Sequence, residues 1–376
     1  MQLDSDIDRP QVQYFEWVAA QMAEGDRVIL CNAEPHWIYA GIYGTRDSDY
    51  NENNLAFLEE KVLKRGVTVF LAGDLHHYRR HEDEDGRQKI TAGGGGAFLH
   101  PTHGANVCHL PETDLKGRTR VFTHRTSFPD CKTSRRLTWR NLFFAWLNPR
   151  FGVLPAILYL LTAWIVMAEI GHLGLSQFWT ALCITLETVS NSPAGVFWAL
   201  AIFGGFLLFT DTHSLSYRRI AGPLHGIAHL AAAFFIGWGA SYLAVTILSL
   251  PFRSLGQLVV SALVILVCGY LAGSTIMGIY LLISLNGFGR HANEAFSALH
   301  IPDWKNFLRL RIDVDGRLTI FPVGIRRVPR KWAKSSSNSG PLMVPDDPAA
   351  SAAALIEAPV VVGLPTPGSP APPMCS

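Results

Sequence analysis

The chain has 376 residues, 49% of them hydrophobic and 16% charged, with a formal net charge of +2 and a positive mean hydropathy. That is room for two or three domains and more apolar content than a soluble enzyme of this size needs, so membrane segments are expected. The near-neutral balance of interspersed charges excludes a global electrostatic case for nucleic-acid binding, and six cysteines scattered without a Cys-x-x-Cys pair argue against a disulfide framework or a zinc ribbon.

Val12, Phe15, Val18, Ala19 and Met22 recur at helical spacing over residues 10 to 24, with Pro10 suited to a first turn and Gly25 to a stop. Arg27 to Cys31 then reads as a short buried strand. Asn53 or Asn54 is placed to cap a second helix whose Leu55, Leu58 and Val62 share a face, and Gly66 ends it before the strand Val67 to Ala72. Helix, strand, helix, strand argues an α/β class. The strand runs into Gly73-Asp74-Leu75-His76-His77, where a carboxylate and two imidazoles stand at a strand end. Asp with His suits Mn, Fe or Zn better than Mg or Ca; the plain alternative is a polar loop after a buried strand. Glu82 to Gly86 reads as a solvated acidic turn, and Lys89 to Phe122 as short strands and loops. The run Gly93 to Gly96 has no following helix and is no P-loop, so a tight strand beside the metal site is preferred to a phosphate cradle.

Between Thr138 and Arg150, Trp139, Phe143, Phe144 and Trp146 among Arg135, Arg136, Arg140 and Arg150 give the character of a membrane-surface helix. Four apolar spans follow, near 151 to 171, 195 to 211, 225 to 249 and 255 to 286, each close to or above the ~20 residues that cross a hydrocarbon core. Segment 176 to 190, which carries Glu187, reads as interfacial or re-entrant. Arginines precede the first span, Arg218 and Arg219 lie between the second and third, and Arg290, Lys305, Arg309 and Arg311 follow the fourth. Arg253 alone opposes a cytoplasmic placement of both ends, and no charged-then-apolar leader precedes the first soluble stretch. His225 and His229, one helical turn apart, read either as a metal or haem pair or, preferably, as histidines that snorkel or hydrogen-bond between helices. Glu169, His172, Glu187, Asp211 and His213 fall at span ends, where water is near. Phe307 to Ile312 and Leu318 to Phe321 alternate about Val314-Asp315-Gly316, a hairpin expected to dock on the amino-terminal domain and complete its sheet. From Ala333 onward Ser, Pro and Ala dominate, and a disordered tail is expected.

The stretches Val28 to Trp37 and Val69 to Tyr78, and the later His291-Ala292-Asn293-Glu294-Ala295-Phe296, resemble the closing motifs of the calcineurin-like metallophosphoesterases, in particular a bacterial membrane-attached group. Gly73-Asp74-Leu75-His76 occupies the family's Gly-His-x-His position: His76 falls on the second metal-binding histidine, and Asp74 replaces the first with an oxygen ligand. On the preceding strand Glu34 or His36 stands in for a family histidine. The family's Asp-x-His, Gly-Asp-x-x-Asp and Gly-Asn-His-Asp/Glu motifs do not occur, so the resemblance, over about residues 1 to 125 and 287 to 332, implies an amino-terminally shortened member.

The resemblance implies a partial calcineurin-like phosphoesterase sandwich of α/β class plus an α-helical membrane domain of about four transmembrane helices. The expected parts are a partial metallophosphoesterase domain at 1–134, an interfacial segment at 135–150, a transmembrane domain at 151–287, a cytoplasmic segment with the hairpin at 288–332, and the tail at 333–376. Asp74, His76, His36 and Glu34 are the expected ligands of a divalent Mn, Fe or Zn, with phosphate esters hydrolysed by metal-activated water at a bacterial inner membrane. The expected partners are the lipid bilayer, a phosphate-ester substrate and a second copy of the chain, and no nucleic acid. The alternative is a non-catalytic membrane protein in which a degenerate phosphoesterase domain acts as a binding module. A third reading is a membrane-embedded binding or transport module centred on His225 and His229.

Overall fold

Pro10 sits in the first turn of helix α1 (Arg9–Ala20), which closes before Gly25 and leads into β1 (Val28–Asn32). The computed structural model describes residues 7–43, 52–113, 118–167, 175–210, 214–335, 341–345, 347–349 and 351–362. Glu169, His172, Asp211, His213 and the end of the tail lie outside these. Two units emerge: Met1–Thr138 with His300–Ser376, and Trp139–Leu299.

In the first unit, Pro35 is followed by α2 (His36–Tyr43). Helix α3 (Glu52–Phe57) begins at Glu52, so Asn53 and Asn54 lie inside it and not at its cap; it widens into a π turn, Leu58–Val62, whose end residues are buried. Strand β2 (Val67–Ala72) pairs in parallel with β1 on one side. On its other side it pairs, again in parallel, with β4 (Gln88–Ala92), while β3 (Tyr78–Glu82) runs antiparallel to β4. With β5 (His109–Thr113) and β6 (Thr119–Phe128) the sheet has the order β1-β2-β4-β3-β6-β5. Apolar residues cover both faces of β2, as a central strand requires. Phe70 and Ala72 join Trp37, Ile38, Leu63, Val107, Leu110 and Phe122 in a core on the helical side. Val69 joins Tyr78 and Ile90 on the other. Helix α4 (Cys131–Thr138) follows; Cys131 is disulfide-bonded, while Cys31, Cys108, Cys183 and Cys268 are free thiols.

The hairpin forms as expected, β7 (Lys305–Ile312) against β8 (Leu318–Ile325), with Gly316 at φ +74° and the Asp313 carboxylate accepting from the amides of Asp315 and Arg317. A short ladder of β9 (Trp332–Lys334) and β10 (Met343–Pro345) comes next. Strands β11 (Ala353–Leu355) and β12 (Val360–Val361) then take the second edge of β8. With both edges of β8 occupied, the hairpin docks face to face, burying Leu318 and Ile320 with Val360 and Val362 over Val69, Tyr78 and Ile90; it does not extend the larger sheet. The expected disordered tail is thereby corrected for residues 353–362, whose valines fill this interface.

Strand β3, Tyr-Arg-Arg-His-Glu, is buried along its whole length. On the hairpin side Arg80 makes a two-pronged pair with Glu357, Nε to Oε1 2.9 Å and Nη2 to Oε2 2.7 Å, and Tyr78 Oη and Thr126 Oγ1 donate to the same carboxylate. Burial opposes the Arg80 charge, but the bonds to Glu357 outweigh it and raise its pKa. Glu82 forms an ion pair with Arg125 at 3.0 Å and accepts a hydrogen bond from Gln88 at 2.9 Å. The acidic turn is therefore not solvated throughout: Glu82 and Asp83 are buried, Asp83 accepting from Arg87 at 3.0 Å, and only Glu84 and Asp85 are exposed.

The second unit opens with a 3-10 turn, Trp139–Phe143, and α5 (Phe144–Leu147), then α6 (Pro149–Met167), α7 (Phe178–Asn191) and α8 (Pro193–Phe209). Helix α9 (Leu215–Tyr242) continues as a π turn to Ile247, and α10 (Leu255–Phe288) and α11 (Ala292–Ser297) close the unit. Leu215–Ile247 and Leu255–Phe288 are long and apolar enough to cross a membrane. The count rises to four if the bent pairs Cys131–Leu147 with Pro149–Ile165 and Phe178–Asn191 with Pro193–Phe209 each form one span; their bends are 63° and 95°.

Candidate functional site

Parallel strands β1 and β2 end at the same edge, Asn32 opposite Ala72, so their loops leave the sheet side by side. The carboxyl ends of adjacent parallel strands are where α/β sheets hold ligands. The Gly73 amide donates to Ala33 O at 3.0 Å and ties the two loops together. Glu34 Oε2 lies 3.9 Å from His36 Nδ1 at the start of α2, and Tyr39, one turn later, donates its hydroxyl to Asp74 Oδ2. Burial lowers the His36 pKa, while the carboxylates of Glu34 and Asp74 act to raise it, so these three side chains share one electrostatic field. Asp74 has φ +54° inside a three-residue turn closed by Leu75 N to Gly73 O at 2.7 Å. A non-glycine residue at positive φ marks backbone strain, and such strain gathers at functional sites.

His76 turns the other way. Its Nδ1 bonds Phe98 O at 2.8 Å, its amide donates to His100 Nδ1 at 3.1 Å, and its ring stacks on His100 at 4.3 Å between centroids. With Nδ1 carrying the proton to a carbonyl, Nε2 keeps its lone pair. The imidazole packs on Gly96, where a Cβ would overlap its ring; Gly93 is closed in the same way by the Leu75 carbonyl and Gly94 by Asn306. Lys305 Nζ donates to Gly96 O. The glycine run is thus a turn after β4, closed by Gly96 N to Gly93 O at 3.1 Å, and not the expected tight strand. Gly96 in this turn serves as packing surface for His76. His77, the second imidazole of the motif, is 1% exposed, and burial together with Arg79 and His100 pushes its pKa well below the ordinary value.

The four expected ligands therefore separate: Glu34, His36 and Asp74 gather at one edge, and His76 is directed to Phe98 and His100 by the tight turn between them. Among the described residues no three His, Cys, Asp or Glu are arranged to hold a metal ion. The donors at the edge, two carboxylates and an imidazole, suit Mn, Fe or Zn in kind, but they are not drawn together into a coordination set. Sequence reasoning missed Tyr39; its spacing of three from His36 carries a signal only once 36–43 is known to be a helix. It also missed the inner face of β3. There Arg79 donates to Thr102 O at 2.6 Å, and burial lowers its pKa to about 10. His81 Nε2 bonds Val107 O at 2.7 Å, and burial lowers the pKa of His81 well below the ordinary value and that of His124 to about 4.

In the helical unit Tyr159 Oη bonds His229 Nδ1 at 2.9 Å, and His229 Nε2 faces His225 Nε2 at 3.2 Å. Tyr280 stacks on His225 at 4.0 Å. These contacts join α6, α9 and α10, the hydrogen-bonding alternative for the pair. Comparison of the chain with protein-family models, with curated proteins and with solved structures finds no match in any of the three.

Proposed function

We propose that the chain is a membrane-attached protein of metallophosphoesterase type whose phosphate-ester site lies where β1 and β2 end. The observation that carries this reading is the strained Asp74 at the end of β2, placed beside His36 and Glu34 from the neighbouring parallel strand. A divalent metal bound there would supply an activated water and offset phosphoryl charge. To hold it, His36 and the two carboxylates would have to close on it, since they form no coordination set as they stand; Tyr39 orients Asp74 through its hydroxyl, and His76 braces the loop against Phe98 and Gly96. With three protein donors at most, a bound ion would exchange readily and turnover would be low.

A second reading, a non-catalytic binding module, draws support from the Asp74 carboxylate already accepting a bond from Tyr39. Purification of the full chain with Mn or Zn, followed by metal analysis and assay with a generic phosphodiester, separates the two. The catalytic reading expects at most one exchangeable metal per chain and slow hydrolysis lost in Asp74→Asn. Metal-independent background rates unchanged by Asp74→Asn leave the binding module. Two tightly held metals with turnover abolished by His76→Ala would contradict the geometry of both.

A further inference from the structure

Helix α10 has 34 residues, a length of about 51 Å at 1.5 Å per residue, against a hydrocarbon core of about 30 Å. Some of it must stand outside the bilayer. The segment 139–147 crosses α10 at Gly278: a Cβ there would overlap the Asn141 carbonyl and lie 2.8 Å from Phe144 Cβ. Tyr270 Oη donates to Ala145 O at 3.0 Å on the same side. Gly278 lies about 15 Å short of the end of α10, which leaves a span of the right length between Leu255 and this crossing. From the crossing the chain bends by 63° into α6.

Phe144 and Ala145 are buried against α10, whereas Trp139, Phe143 and Trp146 on the same short stretch are 56%, 61% and 71% exposed. Arg140 and Arg150 are exposed on the same short stretch and make no ion pair among the described residues. No Asp or Glu occurs between Asp130 and Glu169. A lone exposed aromatic face invites several partners, but this one sits at the depth where a bilayer boundary must fall and carries only positive charge. Indole and phenyl rings favour that depth, and guanidinium groups there pair with phosphate.

We infer that the face formed by Trp139, Arg140, Phe143, Trp146 and Arg150 is a docking surface for anionic phospholipid headgroups, with the aromatic rings at the level of Gly278 and the last turns of α10 beyond the membrane. This rests on the helical unit spanning a bilayer and not on the phosphoesterase reading. The test places the full chain in mixed phosphatidylcholine and phosphatidylglycerol nanodiscs and counts retained lipids by native mass spectrometry. Phosphatidylglycerol should be retained in preference, and Arg140→Gln and Arg150→Gln should each weaken the preference by about fivefold. Arg140→Lys with Arg150→Lys should keep most of it, and quenching by brominated phosphatidylglycerol should fall in Trp139→Phe with Trp146→Phe. Equal retention of the two lipids, or a preference untouched by the double glutamine variant, overturns the assignment.

Discussion

On one face of the six-stranded sheet the Arg80 guanidinium meets the Glu357 carboxylate; on the other its neighbour Arg79 donates to the Thr102 carbonyl with no acid paired to it among the described residues, and Lys89 lies 4.7 Å from the centre of the Phe122 ring and pairs with Glu112. Alternation along β3 sends one arginine to each side. The paired side is sealed by strands from the far end of the chain. The Arg79 side is closed by helices, loops and neutral histidines, and there Lys89 has an acid of its own in Glu112. Buried charge is thus satisfied by a distant acid where one is delivered, and elsewhere by carbonyls, aromatic faces and suppressed protonation of nearby imidazoles.

The largest expected effect comes from breaking the paired side. Glu357→Ala leaves Arg80 buried without its acid and should cost about 3 kcal/mol, because removal of one partner of a buried pair strands the other. Denaturant unfolding of the full chain in detergent, with hydrogen exchange of β3 and β8, would register it; a loss of under about 0.5 kcal/mol would mean that water replaces Glu357. Truncation of Ile320 to alanine, in the apolar part of the same interface, should cost about 2 to 3 kcal/mol through the cavity it leaves. Unchanged protection of Val69 and Ile90 in that variant would show that the second sheet does not seal this core.

The Arg79 side should reveal itself through pH. Folded His77, His81 and His124 have pKa values below the ordinary 6.5, so below that pH the unfolded chain takes up protons that the folded chain refuses. Their contribution is complete above pH 6.5 and declines as pH falls, reaching its floor for His124 near pH 4, with a slope of up to about 1.4 kcal/mol per pH unit for each histidine. Exchange of β3 and β6 amides between pH 7.5 and 5.5 measures this, and His124→Gln should make the fall shallower. A smaller effect is expected in the helical unit, where Tyr159→Phe removes one interhelical hydrogen bond and should cost about 1 kcal/mol. A melt in detergent identical to the parent chain would show that the Tyr159–His229 bond is dispensable.

Much of this architecture was legible locally. The helix at Pro10, the strands at Val28 and Val67 and the hairpin about Val314-Asp315-Gly316 follow from spacing and turn chemistry, and the long apolar runs announce α9 and α10. Strand β3 was not legible, since two arginines, a histidine and a glutamate look like a surface segment until Glu357 and Arg125 are brought to them from distant sequence. The tail misled for the same reason: its composition is that of a linker, yet Val360 and Val362 find a core. At the candidate site the residue types at Glu34, His36, Asp74 and His76 were readable. The turn that sends Asp74 and His76 to opposite sides was not, because it depends on a positive φ at a non-glycine residue.

The most direct test of the account is manganese binding to the full chain, followed by electron paramagnetic resonance with Asp74→Asn and His76→Ala alongside. One weak site per chain is predicted, lost in Asp74→Asn and retained in His76→Ala, because only Asp74 shares the edge with His36 and Glu34. Binding indifferent to Asp74→Asn, or abolished equally by His76→Ala, would contradict a metal site at the ends of β1 and β2.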